Sequence, residues 1–323
     1  MSRLPRRRSL LVPVVSLAAM GLACSAGERE PSTPATQGLG YVAVPGGRVW
    51  YEMKGGGRGT PIILLHGGPG VPSDYLRPLL ALADDRPVYL YDQLGTGRSD
   101  HPADTSLWHT ERFVRELQAL RDSLGLGEVY LYGHSWGTML AASYMEGKPG
   151  GVRGVIFASP CLSAARWTHD ADSLVRLLPD SVQQAVASAN ASGDYQAPAY
   201  QHAVAAYGAE YLNRTPMDSA LGAALSQTNM TIYMQMWGPS EFKATGNLKS
   251  FDATPRLGEI TVPTLFTAGE FDEATPTTTR FYASLVRGSE FMVVPGAGHM
   301  TTIDNPAETV RQVRDWLRKV DAR

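Results

Sequence analysis

Cysteine is nearly absent: Cys24 and Cys161 are the two in 323 residues. That excludes a disulfide scaffold and a thiolate zinc site. The seven histidines include His101, His109, His169 and His202, none with ligand spacing around it, so neither a metal nor another cofactor is expected. Outside Arg3, Arg6, Arg7 and Arg8 there is no run of basic residues, and nucleic acid is not an expected partner. The apolar stretch Leu10 to Ala23 is shorter than the roughly 20 residues a spanning helix needs. With 43% apolar and 19% charged residues, the remainder has the composition of one large globular domain carrying an insertion.

The N-terminus differs from that remainder. Four arginines, the apolar stretch and the small residues Ala23-Cys24-Ser25-Ala26-Gly27 follow the order of a secretory signal, assigned to residues 1–26. Gly21-Leu22-Ala23-Cys24 also resembles a lipobox, in which Cys24 would carry a lipid anchor, although Leu22 stands one place too close to the cysteine. Lipidation and plain secretion stay open. Both place the protein outside the cytoplasm: periplasmic, secreted or membrane-anchored. Removing the leader lowers the formal net charge from −2 by the four arginines and leaves Cys161 as a lone thiol, read as a small buried apolar residue. Residues 27–40 are polar and proline-rich and read as a flexible linker.

Tyr41–Val44 and Arg48–Met53 form an expected hairpin across Pro45-Gly46-Gly47. Short apolar strands near Ile62, Val88, Val129, Val152, Thr264 and Phe291 then alternate with helical stretches such as Leu107–Leu124 and Thr277–Val286. Alternation of this kind makes a mostly parallel sheet with helices on both faces. The pattern breaks after Pro160. From Ser163 to about Ser250 the chain reads as helices, among them Val182–Asn190, Gln201–Leu212 and Met217–Gln235. The core is therefore assigned to 41–160 and 252–323, and an inserted helical cap to 161–251.

The chemistry centres on Gly133-His134-Ser135-Trp136-Gly137, which follows the apolar run Val129–Tyr132 and precedes the helical stretch Thr138–Glu146. A serine on a sharp strand-to-helix turn is lifted above the sheet edge, where substrate can reach it. It needs a base, and the base needs an acid. Asp272 lies just past the strand Thr264–Ala268, and His299 ends the small-residue loop Pro295–Gly298. Ser135, Asp272, His299 is the chain order of nucleophile, acid and base in the α/β-hydrolase fold. His66 and His134 sit inside turn motifs and read as structural.

An oxyanion needs backbone donors. One is expected from Trp136, the residue after the nucleophile. The other is expected from the loop His66-Gly67-Gly68-Pro69-Gly70 after the strand Ile62–Leu65, with Gly68 as the donor and Gly67 as the fallback. In Asp92-Gln93-Leu94-Gly95-Thr96-Gly97-Arg98-Ser99, Asp92 and Arg98 read as structural hydrogen-bonding groups.

Three segments together, His66–Gly70, Tyr91–Ser99 and Gly133–Gly137, resemble the proline iminopeptidases, serine exopeptidases of the α/β-hydrolase fold. The resemblance runs from about Tyr41 to the C-terminus. Gly238-Pro239-Ser240-Glu241-Phe242 and Ala268–Glu273 look like signature segments of the tricorn-interacting aminopeptidase branch. The resemblance implies release of an N-terminal residue, proline or another apolar one, from a small peptide or aminoacyl substrate through an acyl-enzyme. It also implies that Glu241 and Glu273 hold the substrate's α-ammonium group, with Glu270 left to order the loop carrying Asp272. Tyr233, Met234, Met236 and Trp237 are candidates either for the wall of the specificity pocket or for packing within the cap. Two other readings share these residues. One is an esterase, amidase or lactonase with no amine to hold, and the other is a receptor that keeps the fold without turnover.

Overall fold

A computed structural model of the chain describes Met1, residues 37–216 and residues 219–323. Apart from Met1, the leader assigned to 1–26, with Cys24, and most of the linker assigned to 27–40 lie outside the described residues. The linker boundary needs correction. Gln37 to Gly40 belong to β1 (Gln37–Val44), paired antiparallel with β2 (Gly47–Lys54), Gln37 opposite Lys54. Their own sequence carries little strand signal. The partner strand supplies it, because hydrogen bonds to β2 order a segment whose side chains are mostly solvent-facing.

The remaining strands are β3 (Ile62–Leu65), β4 (Val88–Tyr91), β5 (Val129–Ser135), β6 (Val152–Pro160), β7 (Thr264–Gly269) and β8 (Glu290–Val294). Among the described residues they form one eight-stranded sheet in the order β1-β2-β4-β3-β5-β6-β7-β8. From β4 to β8 every pairing is parallel, and β2 joins β4 antiparallel. Side chains of the inner strands alternate between two apolar layers with the strand period of two. Ile63, Leu65, Leu131, Phe157 and Phe266 enter one layer, and Ile62, Leu64, Tyr130, Tyr132 and Ile156 enter the other.

Helices cover both layers. α1 (Thr110–Ser123) and α2 (Trp136–Glu146) pack on the first, through Phe113, Leu117, Leu120, Met139 and Leu140. α10 (Pro306–Asp321) packs on the second, through Val310, Val313, Trp316, Leu317 and Val320 at helical spacing. Its start is set by Pro306 in the first turn and by the Asn305 side chain, which accepts from the Glu308 amide at 3.3 Å. α8 (Pro276–Leu285) covers β7, and the short α9 (Thr301–Asp304) directly precedes α10.

Between β6 and β7 come α3 (Ala164–Val175), α4 (Asp180–Ser192), α5 (Pro198–Tyr207), α6 (Ser219–Ser226) and α7 (Met230–Met236). Val175, Val182, Val186, Tyr200, Tyr207 and Phe242 give this insertion a small apolar centre of its own. Its stem is a single crossing, where Ala164 N–H donates to Phe251 C=O at 2.9 Å and Ala253 N–H to Leu162 C=O at 2.9 Å. The helix expected over Met217–Gln235 is two helices. Asn229 breaks it, capping α7 through the Thr231 and Ile232 amides while its Nδ2 reaches Gly95 C=O at 2.8 Å. A side chain that competes for backbone donors favours a cap over a helix interior. Likewise Gln201–Leu212 is α5 followed by one wider turn, Gly208–Leu212.

Candidate active site

β5 ends at Ser135, whose backbone is forced to φ +54°, ψ −121°, and α2 begins at the next residue. Non-glycine residues seldom tolerate a positive φ, and it persists only where the surroundings impose it. The flanking glycines show how tight the turn is. A Cβ at Gly133 would lie 2.4 Å from Gly137 O, and one at Gly137 would lie 2.1 Å from Leu65 O. Ser135 is half-buried and faces a cavity of about 460 Å³ between sheet and cap, whose wall also includes Gly68, Glu241, Glu273 and His299.

Asp272 and His299 are 1% and 3% exposed. His299 Nδ1–H donates to Asp272 Oδ1 at 2.8 Å. Asp272 is itself held by the Gly269 amide (3.0 Å) and the Ala274 amide (2.8 Å), so its orientation is over-determined. The other ring nitrogen, Nε2, points to the cavity, with Glu273 Oε1 3.9 Å away. Among the described residues no hydrogen bond involves the Ser135 hydroxyl. Ser135 and His299 share the cavity wall without a closed contact, a common state for a candidate nucleophile and base before substrate arrives.

The loop bearing His299 is braced from three directions. Glu270 accepts from the Gly296 amide at 2.8 Å and Asp304 from the Gly298 amide at 2.8 Å. The cap holds the third side: His299 N–H donates to Tyr211 C=O and Met300 N–H to Leu212 C=O, both at 2.8 Å. The Glu270 side chain thus braces the loop of His299 rather than, as expected, the loop carrying Asp272.

Among the described residues no hydrogen bond is made by Gly68 N–H, whereas Gly67 N–H is engaged. Gly67 donates to Tyr75 Oη at 2.6 Å, which removes the fallback assignment. The Gly67 carbonyl accepts from His66 Nδ1–H at 3.0 Å, while His66 Nε2 accepts the Gln93 amide at 2.9 Å. Because the Gly67–Gly68 peptide is trans, its N–H points opposite to its C=O. The ring of His66 thus aims the Gly68 amide. Burial lowers the His66 pKa, consistent with a neutral ring of fixed tautomer. Gln93 ties the two donor segments together, its amide group donating to His66 C=O at 3.0 Å and accepting from Trp136 Nε1 at 2.9 Å. Trp136 N–H, at the first position of α2, is one of the helix amides that lack an internal partner. Asp92 and Arg98 have the structural roles expected of them. Asp92 is fully buried and accepts from Ser73 N–H (3.0 Å), Ser73 Oγ (2.6 Å), Arg98 N–H (2.9 Å) and Arg98 Nη1 (2.7 Å).

Three carboxylates surround one imidazole. Burial by itself would lower the His299 pKa, but Asp272, Glu273 and Glu241 outweigh it and raise the value to about 9. Burial is the largest influence on Glu273, and with Glu241 and Asp272 beside it the value rises to about 8, against the opposing pull of His299 and Tyr207. Glu241 is half-buried and accepts from Tyr233 Oη at 2.6 Å.

The sequence pattern described as alpha/beta hydrolase fold matches residues 60–306. A proline iminopeptidase of Heyndrickxia coagulans is 46% identical over 284 residues, 87% of this chain and 99% of that protein. One from Levilactobacillus brevis is 36% identical over 85% of this chain and 94% of its own length. The chain belongs to the proline iminopeptidase family. The crystal structure of a Mycobacterium smegmatis proline iminopeptidase superimposes with a TM-score of 0.82 at 30% identity, covering 88% of this chain and 99% of that one.

Against that family background, the residues expected from sequence meet at one place. Ser135, His299, Gly68, Glu241 and Glu273 all line the cavity, with Asp272 directly behind His299 and Trp136 in the wall. The specificity candidates divide. Tyr233, Met234 and Trp237 line the cavity, whereas Met236, at the end of α7, is fully buried in the core and takes the packing alternative. Cys161 is buried in the same wall, and burial raises its pKa well above that of a free thiol, as for an inert side chain. Sequence reasoning missed Tyr75, Asp304 and Trp167. The Trp167 ring stands edge-on to His299 with centroids 5.6 Å apart. None of the three sits in a motif; their roles exist only through contacts with distant segments.

Proposed function

We propose that this serine aminopeptidase releases N-terminal proline, or another apolar residue, from short peptides, with Ser135 as nucleophile, His299 as general base and acid, and Asp272 as its orienting partner. One observation carries the reading. Glu241 and Glu273 enter the cavity that holds Ser135, and no lysine or arginine is among the described residues lining it. A pocket in which carboxylates outnumber its one cation, the His299 imidazolium, suits a ligand that brings another.

In this reading the α-ammonium of the substrate lies against Glu241 and Glu273, which sets the distance from the chain end to the bond cut. Ser135 Oγ attacks the carbonyl carbon while His299 Nε2 takes its proton. The oxyanion accepts from the Gly68 and Trp136 amides. His299 then protonates the leaving amine, and the acyl-enzyme is hydrolysed by water activated in the same way. A substrate ammonium also balances the charge that holds the imidazolium, and so lowers the His299 pKa toward neutrality, where the ring can act as a base. The cap limits access to a short chain end and excludes water.

A panel of aminoacyl p-nitroanilides with N-acetylated controls tests the assignment. The expected result is hydrolysis of free-amine substrates, proline among the best, and at least a roughly 100-fold loss on acetylation, which strands two carboxylates. Equal rates for both forms would refute the exopeptidase reading. Export is retained as part of the proposal, supported by the order of charged, apolar and small residues before Gly27. Radiolabelled palmitate incorporation separates lipidation at Cys24 from plain secretion.

A further inference from the structure

His134 occupies the first variable position of the nucleophile turn and borders the cavity, yet no step of the proposed hydrolysis uses it. It is 1% exposed, and both its ring nitrogens are engaged. Nε2 lies 2.9 Å from the carbonyl oxygen of His299, and Nδ1 lies 2.9 Å from Tyr75 Oη. A carbonyl can only accept, so the proton of the neutral ring is on Nε2. Nδ1 must then accept, and Tyr75 Oη–H must donate to it. The tyrosine oxygen in turn accepts the Gly67 amide at 2.6 Å. The three bonds therefore run with a defined polarity from both ends: Gly67 N–H to Tyr75 Oη, Tyr75 Oη–H to His134 Nδ1, and His134 Nε2–H to His299 C=O.

We propose that Tyr75 and His134 are positioning residues for hydrolysis, forming a buried chain that holds the oxyanion loop and the backbone of the base at a fixed separation. The inference rests on the proposed roles of Ser135 and His299. Three further observations support it. A Cβ on Gly67 would sit 3.0 Å from Ser135 Cβ, 3.0 Å from Tyr75 Oη and 3.3 Å from His134 Nδ1, so loop, nucleophile turn and chain pack with no slack. Both ends of the chain are pinned: Thr302 Oγ1 donates to Tyr75 C=O at 3.0 Å, and Ser159 Oγ to His299 C=O at 3.1 Å. The rings of His134 and His299 are also in contact, with centroids 4.8 Å apart. Burial, followed by the neighbouring His299, lowers the His134 pKa to about 3, so the polarity of the chain is preserved through the range in which the enzyme works.

The chain acts on donors that matter only once an oxyanion forms, and that sets the test. Tyr75→Phe keeps the ring but removes the link, leaving Gly67 N–H free to turn the loop. The expected result is a fall in kcat of roughly 10- to 100-fold, less than deletion of an oxyanion donor, with KM within about threefold. The loss should be equal for a prolyl p-nitroanilide and for p-nitrophenyl acetate, because both form the same oxyanion. Phenylboronic acid, which adds to the serine as a tetrahedral anion, should bind more weakly by the same factor. Pyrrolidine, a probe of the ammonium site, should inhibit as before. His134→Gln, with one donor and one acceptor to offer, should recover most of the activity that His134→Leu loses, which keeps the test open if Tyr75→Phe does not fold. A folded Tyr75→Phe enzyme with kcat within threefold of wild type, or a His134→Leu enzyme as active as His134→Gln, overturns the proposal. Failure of a fluorophosphonate to label Ser135 in the wild-type protein would overturn the underlying reading instead.

Discussion

Replacing Glu273 with Gln should move two activities of the same enzyme in opposite directions. Glu273 is 3% exposed, and its Oε1 lies 3.9 Å from His299 Nε2. Two unit charges about 4 Å apart interact by about 4 kcal/mol at an effective dielectric constant near 20, equivalent to a ceiling of about 3 pKa units. Glu273 shares its influence on the ring with Asp272 and Glu241, and its own raised pKa keeps most of it protonated at neutral pH. The realised shift is therefore smaller, about 1 to 2 units. Its sign is definite. A carboxylate stabilises the imidazolium, so its removal lowers the His299 pKa and releases the base at lower pH. For p-nitrophenyl acetate, which has no amine, the acid limb of kcat/KM should move down by about 1 to 2 units, with a several-fold gain in rate near pH 8, where wild-type Glu273 ionises, and little gain at about pH 6.5, where it is already neutral. For a prolyl p-nitroanilide the same substitution removes an ammonium partner, and kcat/KM should fall by about 30- to 1000-fold, equivalent to roughly 2–4 kcal/mol. Parallel pH–rate profiles of both substrates measure this directly. A parallel loss on both, with no movement of the acid limb, would refute the electrostatic account of the site.

Asp272→Asn should leave the backbone of the loop in place but lower kcat by roughly 10³- to 10⁴-fold, because the amide no longer selects the Nδ1–H tautomer; steady-state kinetics with either substrate check it. Thermal stability should fall as pH rises from about 7 to 9, above the range in which the lowered pKa values of His66 and His134 act in the opposite sense. His299 and Glu273 both have folded pKa values above their ordinary ones, so the folded state holds more protons over that window and loses the benefit as they leave. A melting temperature that rises across the same range in scanning fluorimetry would contradict the assigned directions. Glu116→Ala should cost about 3–5 kcal/mol, read from urea unfolding, since it strands the fully buried Arg112 guanidinium and frees the Leu94 amide. A loss below about 1 kcal/mol would place that pair with weak surface bridges.

Much of the site was legible in the chain because its parts are local. A strand, a glycine-flanked serine and a helix form one continuous segment, and the constraint that makes glycine necessary at 133 and 137 is a collision within that turn and with β3. The inner strands were equally plain, since burial on both faces demands continuous apolar side chains. Gln37–Gly40 were not legible, being ordered by a partner strand rather than by their own pattern. Motif and chain order separated His299, the expected base, from His66 and His134, read as structural. What the letters did not show is which groups those two rings hold, such as the Gly67 carbonyl at His66, because tautomer and direction come from neighbours distant in sequence.

Residue types and their order thus determined the alternating α/β architecture, the candidate set Ser135, Asp272 and His299 in that chain order, and the glycine-rich loop beside them. Tertiary structure alone decided which amide of that loop is free, which cap residues meet the cavity and which are core, and that Glu241 and Glu273 converge on His299. The physical reason is range. Backbone propensity and side-chain periodicity act over a few residues, whereas the field around His299 is assembled from the end of β7, the cap and the loop before α9, segments that only folding brings within a few ångströms of one another.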